Sequence, residues 1–185
     1  MFDNKNYIEL SKEIAEKRKE LLDEEYCLLR RWQVNLDFYL KDVDYILIND
    51  CIWIKIDKIE SGTVRLGKNL MDKHKTPSWY RISGLVVFDD DTDEINRSFA
   101  PGQSINITDT VKKIDEETFN QALQERCSKV FADTEKNFEI QYCHYHSRFN
   151  DYVLEKYSDL FPQYVHDFVN RLEEKLDEEL NTSQD

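Results

Sequence analysis

Tyr45-Ile46-Leu47-Ile48-Asn49-Asp50-Cys51-Ile52-Trp53-Ile54-Lys55-Ile56-Asp57 is the stretch that decides the fold. Ile52, Ile54 and Ile56 alternate with Trp53, Lys55 and Asp57, the period of two that buries one face of a strand. Asn49-Asp50 separates the β-rich runs 45–48 and 51–56 as a short turn signal of the type that joins antiparallel strands. The two runs are therefore expected to fold back on each other as an antiparallel pair.

Downstream, Ser61-Gly62 reads as a second turn, between 56–59 and 63–66. A further strand is expected at 79–88, an acidic turn at 89–94 and a strand near 95–99. Ala100-Pro101-Gly102 then turns the chain into a last strand at about 104–108. Five or six antiparallel strands over 45–112 form a meander, with 67–78 as its one long loop.

Upstream, residues 6–40 read as one long helix. Ile14, Leu21, Leu22, Leu29, Trp32, Leu36 and Tyr39 recur at helical intervals among charged residues. The stretch 12–25 is so charged that it is expected to project into water or meet a partner helix. After the sheet, Asp115 is a good N-cap, Glu116 and Glu117 suit the positive helix end, and Ile114 is placed to staple onto Phe119. Helices are expected at 116–132, 134–158 and 162–180, with Pro162 in the first turn of the last. That last helix carries Val165, Phe168, Leu172, Leu176 and Leu180 on one stripe. The reading is one α+β domain over 1–185: a helical 1–44, an antiparallel sheet at 45–112, an acidic helical region at 113–180 and a frayed tail at 181–185.

The 185 residues include 25 basic and 38 acidic side chains, a net charge of −13. Residues 116–185 hold seven basic and sixteen acidic ones, net −9, whereas 58–81 is net +4. An acidic total argues against strong binding of duplex DNA or an anionic membrane, because both need clustered Lys and Arg. No apolar run approaches a membrane span, and the N-terminus lacks the apolar core of a signal peptide, so a cytoplasmic location is expected. The four cysteines, Cys27, Cys51, Cys127 and Cys143, form no CxxC pair and read as reduced thiols.

Three surfaces compete for function. The acidic residues Asp167, Glu173, Glu174, Asp177, Glu178 and Glu179 outnumber Arg171 and Lys175 and suit a basic protein partner, one that handles nucleic acid. Arg65, Lys68, Lys73, Lys75, Trp79 and Arg81 mix cations with a stacking ring, as single-strand or RNA contact requires. Glu139, Cys143 and His146 would lie along one helix face as three metal ligands, or Cys143 and His146 would act as thiol and base. The last set lacks a second ligand pair, and Phe138, Tyr142, Tyr145, Phe149 and Tyr152 offer an ordinary packing stripe beside it. Phosphate-loop and dinucleotide fingerprints are absent, and the acid run 89–94 lacks the Gly and Glu of a calcium loop.

The expectation is a non-enzymatic acidic binding protein without cofactor or metal. In composition it is similar to phage inhibitors of host defence nucleases and to immunity proteins of toxin nucleases. The RNA-contact and metal- or thiol-enzyme readings stand as alternatives. A homodimer stands as a structural alternative, in which pairing through the N-terminal helix is preferred to the basic 58–81 segment meeting the acidic helices of another copy.

Overall fold

The computed structural model describes residues 4–63, 78–89, 98–132, 134–144 and 149–182. The fold is mixed α+β: a long N-terminal helix, a five-stranded antiparallel sheet, then C-terminal helices. By its internal contacts the chain divides into two compact units, Met1–Lys41 with Ser61–Tyr80, and Asp42–Glu60 with Arg81–Asp185.

In the first unit α1 runs Asn4–Tyr39. Its core-facing side is carried by Gln33, Leu36 and Leu40, which are buried, with Tyr26, Leu29 and Trp32 half-buried. Ile14, Leu21 and Tyr39 belong to the apolar pattern in the sequence yet are exposed. The exposed stretch begins at Glu9 and runs to Glu25, the Leu22 side chain lying outside the description. Trp32 meets the buried Tyr80 edge to face at 6.0 Å.

The strands are β1 (Tyr45–Ile48), β2 (Ile52–Thr63), β3 (Ser78–Phe88), β4 (Phe99–Ile105) and β5 (Val111–Lys113), in the order β4-β3-β2-β1-β5. Asn49 and Asp50 both have positive φ, 52° and 59°, as the two central residues of a type I′ turn require, and the Cys51 N–H closes that turn by donating to the Ile48 carbonyl at 3.1 Å. The first four strands form the expected meander. The fifth departs from it and returns to β1, with Ile48 opposite Val111 and Ile46 opposite Lys113. Asn49 secures this return: its side chain donates to Asp109 at 2.9 Å and accepts from the Thr110 N–H at 2.9 Å.

Two expected turns are strand instead. β2 runs straight through Ser61-Gly62, where buried Gln33 of α1 donates to the Gly62 carbonyl at 2.8 Å. That bond holds the backbone extended where local propensity favours a bend. β4 likewise runs through Pro101-Gly102. It is the terminal strand of the sheet, where a proline lacking its N–H is tolerated. A Cβ on Gly102 would lie 2.6 Å from the Ile82 carbonyl oxygen, so that glycine serves close strand approach. The expected strand at 104–108 ends at Ile105, because the Asp109 carboxylate accepts from the Asn106 N–H at 2.7 Å and closes a turn. Of the acidic stretch 89–94, only Asp89 lies within the described residues.

After the sheet come α2 (Glu116–Phe131), α3 (Glu135–His144), α4 (Phe149–Lys156), a 3₁₀ turn (Ser158–Leu160) and α5 (Gln163–Thr182). Asp115 caps α2 by accepting from the Thr118 N–H at 2.8 Å, and Ile114 packs against the core that holds Phe119. The single helix expected at 134–158 is described as two, with 145–148 outside the described residues. Leu85, Val87 and Phe99 of the sheet join Phe119, Leu123, Phe131, Phe138, Val153, Val165, Phe168 and Leu172 of the helices in one core. No helix among the described residues is long and apolar enough to cross a membrane.

Gly84 sets the tightest tolerance in the sheet. A Cβ there would stand 1.9 Å from the Lys55 carbonyl oxygen, a backbone atom with no room to yield. Gly84→Ala is expected to destabilise the protein by about 2–3 kcal/mol, the upper range of overpacking. Urea unfolding of the two proteins checks this, and an unchanged midpoint would contradict it.

Candidate functional site

Helix α5 is where an amphipathic sequence meets the largest run of acid. Pro162 precedes it and accepts from the Val165 N–H at 2.9 Å, starting the helix at a residue that has no N–H to lose. Val165, Phe168 and Leu172 are buried, which fixes the rotation of the helix about its axis. Asp167, Glu173, Glu174, Asp177, Glu178 and Glu179 are then exposed, as the sequence pattern anticipates. Glu173 with Asp177, and Glu174 with Glu178, form two adjacent columns at i, i+4 spacing.

The basic residues of α5 are placed differently. Lys175 donates to Glu139 of α3 at 2.8 Å and lies 4.2 Å from the centre of the Tyr142 ring. Arg171 lies 3.9 Å from the centre of the Phe138 ring and 3.7 Å from the Glu135 carboxylate. Both cations are thus drawn toward α3, where ring faces and carboxylates attract them together. The hydrogen bond from Lys175 to Glu139 raises the lysine's pKa. Between 163 and 182 two basic residues face six acidic ones, so the helix is net −4.

Asp167 also accepts from Gln163 at 3.0 Å and borders a groove of about 500 Å³ between α2 and α5. Phe131, Ala132 and Phe168 give it apolar walls, while Tyr164 and Arg171 add polar ends. One sequence-chosen acid therefore edges a groove and the others lie along the open helix.

The other sequence-chosen sets are only partly described. Arg65, Lys68, Lys73 and Lys75 lie outside the described residues, and Trp79 is in β3 without a described side chain. Arg81 is exposed on β3. In the candidate metal set, His146 lies outside the described residues and Cys143 is in α3 without a described side chain. Glu139 is engaged by Lys175. No group of three metal-binding side chains occurs among the described residues. Burial pushes the Cys127 thiol up to about 12, which leaves it protonated and a poor nucleophile at neutral pH.

Sequence reasoning missed one polar cluster, formed by Asp57 of β2 and Lys156 and Tyr157 at the end of α4. The Asp57 carboxylate accepts from Lys156 at 2.8 Å and from the Tyr157 hydroxyl at 2.8 Å, and Lys156 also reaches that hydroxyl at 3.0 Å. Lys55 stands 3.7 Å from the other carboxylate oxygen. Burial alone would raise the Asp57 pKa, but the bonds from Lys156 and Tyr157, with the charges of Lys156 and Lys55, hold it below the usual carboxylate range. Burial, reinforced by Asp57, pushes the Tyr157 hydroxyl up to about 12. Roughly a hundred residues separate Asp57 from its partners, and no local pattern signals such a contact. With every member paired to another, the cluster ties α4 to the sheet.

No family model, curated protein or solved structure matches the chain.

The cluster makes stability depend on pH in a definite direction. A carboxyl whose folded pKa is lowered stabilises the fold above its unfolded value, near 4, and loses that contribution as pH falls through the folded pKa. Asp57→Asn is expected to cost about 1–3 kcal/mol at neutral pH by breaking charge-assisted bonds. The gap between variant and parent should begin to narrow below about pH 4, as the unfolded carboxyl takes up its proton, and close once the pH has fallen through the lowered folded pKa. Denaturant unfolding across the acid range measures this, and a gap that is constant with pH would contradict the assignment.

Proposed function

We propose that the protein is a non-enzymatic binding protein whose exposed α5 carboxylates dock on a basic surface of a protein partner. A surface built to grip phosphates fits that chemistry, so the partner is a nucleic-acid-handling protein such as a nuclease, and occupying its phosphate track would inhibit it. One observation carries the reading. Six carboxylates of α5, Asp167, Glu173, Glu174, Asp177, Glu178 and Glu179, are exposed against one exposed cation, Arg171, and both Arg171 and Lys175 are engaged by the rings and carboxylates of α3. An acidic strip of this kind speeds encounter with a cationic target and loses influence as salt rises.

The alternative of RNA contact through Arg65, Lys68, Lys73, Lys75, Trp79 and Arg81 is tested in the same experiment. Reversing Glu173, Glu174, Asp177 and Glu178 to Lys leaves the buried Phe168 and Leu172 unchanged, so folding is expected to survive. Capture of a basic partner at low salt should then slow roughly tenfold or more in association and lose much of its salt dependence. Reversing Lys68, Lys73 and Lys75 to Glu should leave capture intact. If the second set abolishes binding and the first does not, the acidic-surface reading is wrong and the basic segment is the site.

A further inference from the structure

Helix α1 carries an apolar stripe that is exposed among the described residues. Leu10, Ile14, Leu21 and Leu28 are 57%, 47%, 64% and 56% exposed. At about 100° per residue these four fall within roughly 40° of one another on the helix circumference. By the same count Gln33, Leu36 and Leu40 lie roughly 60–120° round the helix from Leu21, while the half-buried Trp32 continues the stripe's own line and meets Tyr80, so the stripe is exposed over 10–28 and turns inward at Trp32. Leu10 to Leu28 spans about 27 Å of helix if its rise is regular, enough for several layers of helix-to-helix contact.

The charges flanking the stripe identify what covers it. Lys17 and Glu24 border one side, Arg18 and Glu25 the other. In an antiparallel pair of identical helices each side meets its own counterpart. With the two-fold axis at Leu21, Lys17 then faces Glu24 of the second copy and Arg18 faces Glu25 of the second copy. The same axis puts Leu21 against Leu21 and Ile14 against Leu28. A parallel, in-register pair brings unlike sides together instead, setting Lys17 beside Arg18 and Glu24 beside Glu25. Within one chain Lys17 pairs with Glu13 at 3.0 Å, an exposed i, i+4 contact too weak to compete with a new partner.

We propose that the occupant of this stripe is a second copy of the chain, and that α1 forms an antiparallel homodimer centred on Leu21. The proposal is independent of the acidic surface on α5. It accounts for three exposed apolar side chains, Ile14, Leu21 and Leu28, and four charges with one symmetry operation, and it gives the isologous contact expected of a two-fold dimer.

Sedimentation equilibrium of the full chain tests it. The parent protein is expected to show a concentration-dependent dimer. Leu21→Glu places two carboxylates at the axis and should raise the dissociation constant about a hundredfold. Lys17→Glu with Arg18→Glu turns every flanking attraction into repulsion and should raise it roughly tenfold. Adding Glu24→Lys and Glu25→Lys to that variant restores opposite charges across the antiparallel seam and should restore the dimer. All substituted positions are exposed, and an unchanged circular-dichroism spectrum confirms that each variant folds. A parent that stays monomeric at every concentration overturns the proposal. So does a Lys17/Arg18 variant with undiminished dimerisation, or a fourfold variant that fails to recover it.

Discussion

Phe131 and Phe168 meet edge to face at 5.5 Å, and the rest of the helical region depends on that contact. Phe131 also stacks on Phe99 of β4 at 6.2 Å, and Phe168 meets Phe138 of α3 at 5.6 Å. Sheet, α2, α5 and α3 are thereby joined through four rings. Such pairs contribute about 0.5–1.5 kcal/mol beyond the area they bury, and each ring here serves more than one neighbour. A chain with few glycines and a strongly acidic helical region needs this apolar anchor, because its carboxylates repel one another on the surface.

The anchor decides what the surface presents. With Phe168 fixed between Phe131 and Phe138, α5 has one rotation about its axis, and Arg171 and Lys175 fall over the rings of α3. Their stems cover apolar surface while their charges meet ring faces and the carboxylates of Glu135 and Glu139. Cations that would otherwise offset the acidic strip are used in joining two helices. The electrostatic character of the exposed face thus follows from core packing.

What was legible in the sequence was local and periodic. Asn49-Asp50 announced its hairpin because both residues accept the positive φ that the turn imposes. Asp115 announced its cap, and α5 its buried stripe. Ser61-Gly62 and Pro101-Gly102 carry equally good turn signals, yet both lie within strands. There the deciding partners, Gln33 and Ile82, are distant in sequence, and one hydrogen bond or one close backbone approach outweighs propensity. The apolar pattern of α1 announced the helix, and its charge-rich stretch 12–25 is exposed where described, as its composition suggests. The acidic residues were legible as a surface from composition alone. The bond from Tyr157 to Asp57 was not, since it joins positions with no local relation.

The two long helices carry charge in opposite ways, and the contrast bears on what each is suited to meet. Between 4 and 39, α1 has seven basic and eight acidic residues, close to neutral, and those beside its exposed stripe are ordered basic then acidic along the chain. Reversed against itself, such a sequence is its own complement. Helix α5 is net −4, with its cations turned toward α3, and against a copy of itself it presents like charges in either orientation. Like charges across a contact are costly where water is excluded. On charge alone, self-pairing is therefore favoured at α1 and disfavoured at α5, whose carboxylates are complementary to a surface of opposite sign.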